Sequence, residues 1–383
     1  LFVPNPVRTA HHLEGLQGQP LASYLTALAV LRLLHEQKDA TVSGAWSDGH
    51  FVLDTELDRE QLLYFFAEEY KPTPLVAPWN GGSGFYGGKG EKLRLIEESV
   101  DLRFERYRQA IATSRACISR LGLECKPDPS GDKTTLLKLL RGKLDDEGIK
   151  WLDSCIALTN QKHGVHPAMA PLLGSGGNDG NFEFSLNFMQ RLHELMLAPK
   201  RSASRPLLEA ALFNDLTVGM KSCPVGQFDP GAAGGLNSTV GYEGNAQLNP
   251  WYFVLGLEGA VVLSTSTVGR YKDDTRTESA FPFTVNHLSI ANGKLAPDEK
   301  GRQEIWLPLW EKLSGYPEIH GLFAEGRAQV GPQQARNPVE FSLALASHGT
   351  SRGLTGFSRY GFLQRNGKSF FATPLGYHPV KHR

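Results

Sequence analysis

Residues 20–54, PLASYLTALAVLRLLHEQKDATVSGAWSDGHFVLD, decide the fold class. Leu21, Tyr24, Leu25, Leu28, Leu31 and Leu34 recur three and four apart, which gathers them on one face and predicts a core helix. Directly after it, Val42 and Trp46 precede the turn residues Ser47, Asp48 and Gly49, and Phe51 and Leu53 follow them. That is the pattern of a hairpin over residues 41–54. Asp58, with Gln61 three residues on, then starts another helix as a reciprocal cap. A helix running into a hairpin predicts an α+β fold, with mixed helices, small antiparallel sheets and irregular Gly-rich loops.

Working outward, residues 71–90, KPTPLVAPWNGGSGFYGGKG, are too long and too aromatic for a flexible linker and are predicted to pack. One long helix pattern covers Glu91 to about Leu121, and further helices fall near 134–140 and 145–158. A second glycine loop, LLGSGGNDG at 172–180, precedes a helix carrying Phe188, Leu192 and Leu195. The stretch APKRSASRP at 198–206 is the best linker, dividing the chain into regions 1–200 and 201–383. Trp251 to Leu263 reads as a buried helix or strand, which periodicity does not separate, with helix favoured.

The 383 residues hold 40 Lys and Arg against 40 Asp and Glu, which excludes a uniformly basic nucleic-acid coat. The balance hides an asymmetry. After Glu340 there is no acidic residue, while Arg352, Arg359, Arg365, Lys368, Lys381 and Arg383 leave the first 340 residues at minus six. Phe357, Tyr360, Phe362, Phe370, Phe371 and Tyr377 interleave with these cations. Alternating cations and rings suit phosphate neutralisation and base stacking. The same residues also read as a β hairpin around Asn366–Gly367, with one face packed and the other charged.

No apolar run reaches membrane-spanning length, and LFVPNPVRT has no secretory pattern, so a cytoplasmic protein is expected. Cys117, Cys125, Cys155 and Cys223 form no C-x-x-C pair, and His163 and His166 lack further ligands at metal-site spacing. The first glycine loop fails as a Walker motif at Ser83 and Gly90, and the second fails as a dinucleotide fingerprint at Asp179. With no nucleophile elbow or zinc-protease motif either, neither an enzyme nor a cofactor is expected.

Six blocks carry a family resemblance: PLASYLTALAVLRLLHEQ, YKPTPLVAPWNGGSGF, PLLGSGGNDGNFEFSLNFMQRL, EIWLPLW, LFAEGRAQV and RYGFLQRNGKSFFATPLG. Their order resembles, collinearly from about residue 13 to 376, the large subunit of the type I-G CRISPR effector complex, formerly subtype I-U. The resemblance implies a noncatalytic subunit of an RNA-guided surveillance complex. Its partners would be guide CRISPR RNA, target double-stranded DNA, the backbone and foot subunits, and a recruited helicase-nuclease. Guide pairing reads most of the target in such complexes, while protein reads a short flanking motif and starts strand separation. The family also carries a helical C-terminal region, similar to a small subunit, that is expected to be absent from this chain.

The chemistry of these blocks nominates three nucleic-acid-binding surfaces. Asn80 with Lys89 forms the first, beside Trp79 and Phe85, which read as packing residues or, alternatively, as a wedge for a base step. Asn178, Asn187 and Arg191 form the second, and Arg352, Arg359, Arg365 and Lys368, with Tyr360 as a stacking partner, form the third. The alternatives are a purely structural assembly or nuclease-recruiting subunit that reads no DNA sequence and, more remotely, a nucleotide-dependent enzyme.

Overall fold

The computed structural model of the chain describes residues 7–87, 90–129, 131–162, 164–173, 184–199, 203–215, 221–223, 228–232, 246–270, 273–286, 303–326, 329–330, 333–334, 338–348, 353–365 and 369–380. Strand β1 (Thr9–Gln17) leads into helix α1 (Leu21–Gln37), in which every residue from Leu21 to Leu34 is buried. Periodicity marks only one apolar face, but Ala22, Ala27 and Ala29 let neighbours close in elsewhere, so α1 is a central helix.

The hairpin follows as β2 (Ser43–Ser47) and β3 (His50–Thr55), with positive φ at both Asp48 (50°) and Gly49 (81°). Two left-handed residues give the turn whose twist matches the strands. Helix α2 (Arg59–Tyr64) has the anticipated reciprocal cap: Gln61 N–H donates to the Asp58 carboxylate at 2.8 Å, and Asp58 N–H donates to Gln61 Oε1 at 2.9 Å.

Residues 71–77 form no regular element, yet Pro72 to Trp79 are all buried. Buried backbone needs partners, and side chains supply some of them. Tyr107 Oη donates to the Leu75 carbonyl at 2.9 Å, and Trp151 Nε1 donates to that of Val76 at 3.1 Å.

The single helix expected from Glu91 to Leu121 is two, α3 (Glu91–Glu97) and α4 (Glu105–Arg120). Between them the Asp101 carboxylate accepts from Arg103 N–H at 2.9 Å and from its guanidinium at 2.7 Å, holding a local turn that competes with helix. After α5 (Asp132–Arg141), helix α6 (Asp146–Cys155) also ends earlier than expected. Ile156–Gln161 is a strand, β4, paired antiparallel with β5 (Gly164–Met169). Asn160 N–H donates to Thr277 Oγ1 at 2.7 Å, a long-range contact that no local pattern announces.

Helices α7 (Phe184–Leu192) and α8 (Ser204–Phe213) precede the short pair β6 (Lys221–Cys223) and β7 (Ala246–Leu248). Helix α9 (Pro250–Ala260) is capped by Asn249, which accepts from Trp251 N–H at 3.0 Å, and it packs along α1. A Cβ at Gly259 would lie 1.8 Å from the Leu25 carbonyl oxygen, so glycine is what lets these two helices touch. Strands β8 (Ser266–Arg270), β9 (Asp273–Ala280), β10 (Thr284–Asn286), β11 (Gln303–Trp310) and β12 (Ser314–Gly315) lead to α10 (Tyr316–Ala324). The ribbon β13 (Gln329–Val330) and β14 (Gln333–Gln334), helix α11 (Pro338–His348), β15 (Leu354–Arg365) and β16 (Ser369–Pro379) complete the order.

The fold is α+β and, among the described residues, has two four-stranded antiparallel sheets, β1-β3-β2-β12 and β10-β11-β15-β16, and several two-stranded ribbons. Trp310 bridges the two larger sheets: its Nε1 donates to the Gly44 carbonyl at 2.7 Å, and its ring meets Trp46 and Phe51 edge-on. The regions expected on either side of residue 200 share this core, because α1 packs on α9 and β12 pairs with β2. Among the described residues, no helix is long and apolar enough to cross a membrane.

Candidate nucleic-acid interface

The third surface begins with the terminal hairpin, β15 and β16, which pair antiparallel on either side of the expected turn. Register places Trp306, Arg359 and Gly376 in one row across β11, β15 and β16, and Glu304, Gly361 and Thr373 in the next. Side chains at alternate positions share a face. Phe357 belongs to the same face and packs with Phe283 and Phe341, while Tyr360 and Phe362 point to the other.

Arg359 is the described cation on this face. Its Nε donates to Glu304 Oε1 at 2.6 Å, and its guanidinium carbon lies 4.6 Å from the centre of the Trp306 ring. The side chain stays 29% exposed although its two supports are fully buried. His378 stacks obliquely on Trp306 at 5.0 Å, and burial, reinforced by the Arg359 charge, pushes its pKa down. This imidazole is neutral at pH 7.

Tyr360 is not a stacking platform. It is fully buried and donates to the Gly18 carbonyl, and burial pushes its pKa up. Arg352 and Lys368 lie outside the described residues, and Arg365 is described only as the last residue of β15.

The second surface is corrected as well. Asn187 and Arg191 are each only 5% exposed, because α7 buries nearly its whole circumference, with Phe188 stacked on Tyr107 and Met189 and Leu192 in the core. Arg191 pairs with Glu194 at 3.1 Å, and the Asn187 amide nitrogen, although without a hydrogen-bond partner, is buried, so neither residue faces a ligand at the surface. Asn178 lies outside the described residues.

At the first surface, Trp79 is buried and Asn80 is half-buried in a turn, its carbonyl accepting from Ser83 Oγ at 2.6 Å. Lys89 lies outside the described residues. The cations near this turn come from elsewhere in the chain. The Lys126 stem lies along Gly81, where a Cβ would meet its Cδ at 3.4 Å, and burial together with the Lys126 charge lowers the pKa of Lys133 in the first turn of α5. Arg115 is instead held by Glu97 through two hydrogen bonds of 2.9 and 2.8 Å, as a helix face rich in both charges would suggest.

Lys126, Lys133, Glu304, Trp306 and His378 are thus the residues that sequence reasoning missed. One signal was available: Glu304 is the single charge in the otherwise apolar block EIWLPLW. Among the described residues, no group of three or more His, Cys, Asp or Glu is placed to hold a metal ion. No protein-family model matches the chain, and no curated protein matches it in sequence.

Proposed function

We propose that this chain is a noncatalytic, nucleic-acid-binding large subunit of a type I-G RNA-guided CRISPR surveillance complex, working in the cytoplasm. Its role is to join the backbone and foot subunits, contact guide RNA, and take part in recognising the flanking motif and separating the strands of target DNA before a helicase-nuclease arrives. The observation that carries this reading is Arg359 of the basic hairpin, held by Glu304 and Trp306 while its side chain stays 29% exposed. A guanidinium held this way is prepared to fork onto a phosphate or a base edge without losing further side-chain freedom. The six collinear blocks of resemblance supply the family, and the Lys126–Lys133 pair adds positive charge beside Asn80.

A second reading, an assembly subunit that reads no DNA, draws on Val100 and Leu102, which are 93% and 77% exposed in the connection between α3 and α4. Apolar side chains presented this way suit a protein neighbour. Co-expression with the other subunits of the complex and a guide array tests membership: the protein should copurify with guide RNA, and its absence from the purified ribonucleoprotein would contradict both readings.

A further inference from the structure

We propose that Tyr377, on the outermost strand of the β10-β11-β15-β16 sheet, is a stacking platform for an unpaired base of single-stranded nucleic acid. The assignment rests on the nucleic-acid reading above and gives this ring the part for which Tyr360 is too deeply buried. Among the described residues β16 is paired on one side only, by β15. Tyr377 is 52% exposed there, whereas Tyr360 is 0% exposed.

Local geometry holds the ring and leaves one of its faces free. The register of β15 and β16 shifts between Arg359, opposite Gly376, and Tyr360, opposite Pro374, so Leu375 is an extra residue and Gly376 takes a φ of 105°. A bulge of this kind re-aims the side chains beside it. Past it, Tyr377 pairs with Ser358 and His378 with Phe357. His378 meets Trp306 on one side of the sheet, so Tyr377 lies on the other. There it covers Gly356: a Cβ at that glycine would be nearly equidistant from Tyr377 Cε2, Cζ and Oη, at well over a bond length from each. Such a point lies above the ring plane, so the phenol rests face-down on the strand, and any larger residue at 356 would displace it. The Tyr377 hydroxyl donates to the Thr355 carbonyl at 2.8 Å, which keeps the ring from swinging away. A ring backed on one face and half exposed presents the other face to solvent.

The chemistry of the platform selects the ligand. A flat π face whose side-chain torsions are already fixed stacks on another flat π system with little further loss of freedom. Nucleobases offer such a face whatever their sequence, and only unpaired ones leave it uncovered by neighbours in a duplex. The charge of the segment agrees. No acidic residue follows Glu340, while six Lys and Arg do, so the strand that carries the ring does not repel a phosphodiester. A protein partner would favour a contiguous apolar patch. The nearest exposed aliphatic side chain on β16, Leu375, instead lies over Gly361, on the Arg359 side of the sheet, and leaves the ring without an apolar neighbour from its own strand.

The test uses the full chain and single-stranded ten-nucleotide probes of RNA and DNA, with binding followed by fluorescence anisotropy. Tyr377→Phe, which keeps the ring, should bind nearly as well as the parent, and Tyr377→Ala about 5- to 100-fold more weakly, with circular dichroism confirming an unchanged fold. Annealing a probe to its complement should abolish the difference between parent and Tyr377→Ala; a duplex that keeps it would contradict the choice of an unpaired base. A probe carrying 5-iodouracil, irradiated with the parent protein, should crosslink to the peptide that contains Tyr377. Crosslinks confined to other peptides, or equal binding by parent and Tyr377→Ala, would overturn the platform and leave the nucleic-acid reading standing. Failure of the parent to bind any probe would overturn both. Because the crosslink is read on the parent, it decides the matter even if a variant fails to fold.

Discussion

Arg32 and Glu258, 226 residues apart in the chain, form a fully buried ion pair at 2.7 Å between α1 and α9. Glu258 also accepts from Thr73 N–H at 2.8 Å, from Thr73 Oγ1 at 2.6 Å and from Tyr70 Oη, while Arg32 donates to the Glu258 carbonyl at 2.9 Å. The pair therefore ties the irregular buried segment after Tyr70 to the central helices. That segment runs on to the Asn80 turn of the first candidate surface.

Removing Glu258 leaves the buried Arg32 charge with Glu36, whose carboxylate lies at 3.4 Å, and without its shorter buried partner. Glu258→Ala is expected to cost about 3–5 kcal/mol of stability, read as a lower urea midpoint. The double replacement Arg32→Met with Glu258→Leu should recover much of the loss, because an apolar pair has no charge to desolvate. A Glu258→Ala midpoint equal to that of the parent would contradict the role given to the pair.

The contact between α1 and α9 makes a sharper steric prediction. Gly259→Ala places a methyl group against the Leu25 carbonyl and should lower stability by roughly 2 kcal/mol or more. Gly256→Ala, on the same helix, meets nothing nearer than 3.9 Å and should be neutral or slightly stabilising, since alanine favours helix over glycine. Thermal melts of the two variants compare them directly, and equal melting temperatures would rule out the close approach.

Asp39 gives a pH dependence with a definite sign. Burial acts to raise its pKa, but hydrogen bonds from Thr55 Oγ1 at 2.6 Å, Glu56 N–H at 3.0 Å and Thr41 outweigh it and hold the carboxyl below its ordinary value. A folded-state pKa below the unfolded one contributes stability that is complete above about pH 4 and is lost as pH falls through the folded value. Between pH 6 and pH 3 the urea midpoint of Asp39→Asn should therefore fall less than that of the parent. Parallel curves would show that Asp39 contributes no such linkage.

For the Lys126–Lys133 pair, the prediction concerns salt. Replacing both with alanine should weaken nucleic-acid binding evenly across sequences and reduce the dependence of log K on log salt by about 1 to 2. Titrations at several salt concentrations read this slope. An unchanged slope would remove the pair from the interface.

Features encoded by neighbouring residues were legible in the sequence. The leucine spacing of α1, the Asp48–Gly49 turn, the Asp58–Gln61 cap and the terminal hairpin all depend on residues within a few positions of each other. Features that depend on distant partners were not. Residues 156–158 continue a helix pattern in sequence, but the pairing of Ile156–Gln161 with β5 and its place beside Thr277 make them strand. Arg191 carries the same charge as Arg359, yet one lies on a helix buried almost all round and the other on a sheet face with an open glycine beside it. What distinguishes Arg359 is Glu304, 55 residues earlier, and only the strand register brings them together.

The most direct test of the proposed function is equilibrium binding of assembled, guide-loaded complex, with and without this protein, to matched target duplexes that differ only in their flanking motif. The account predicts that only the complex containing the protein discriminates between motifs. Discrimination that survives its omission would contradict the reading and leave the chain an assembly or nuclease-recruiting subunit.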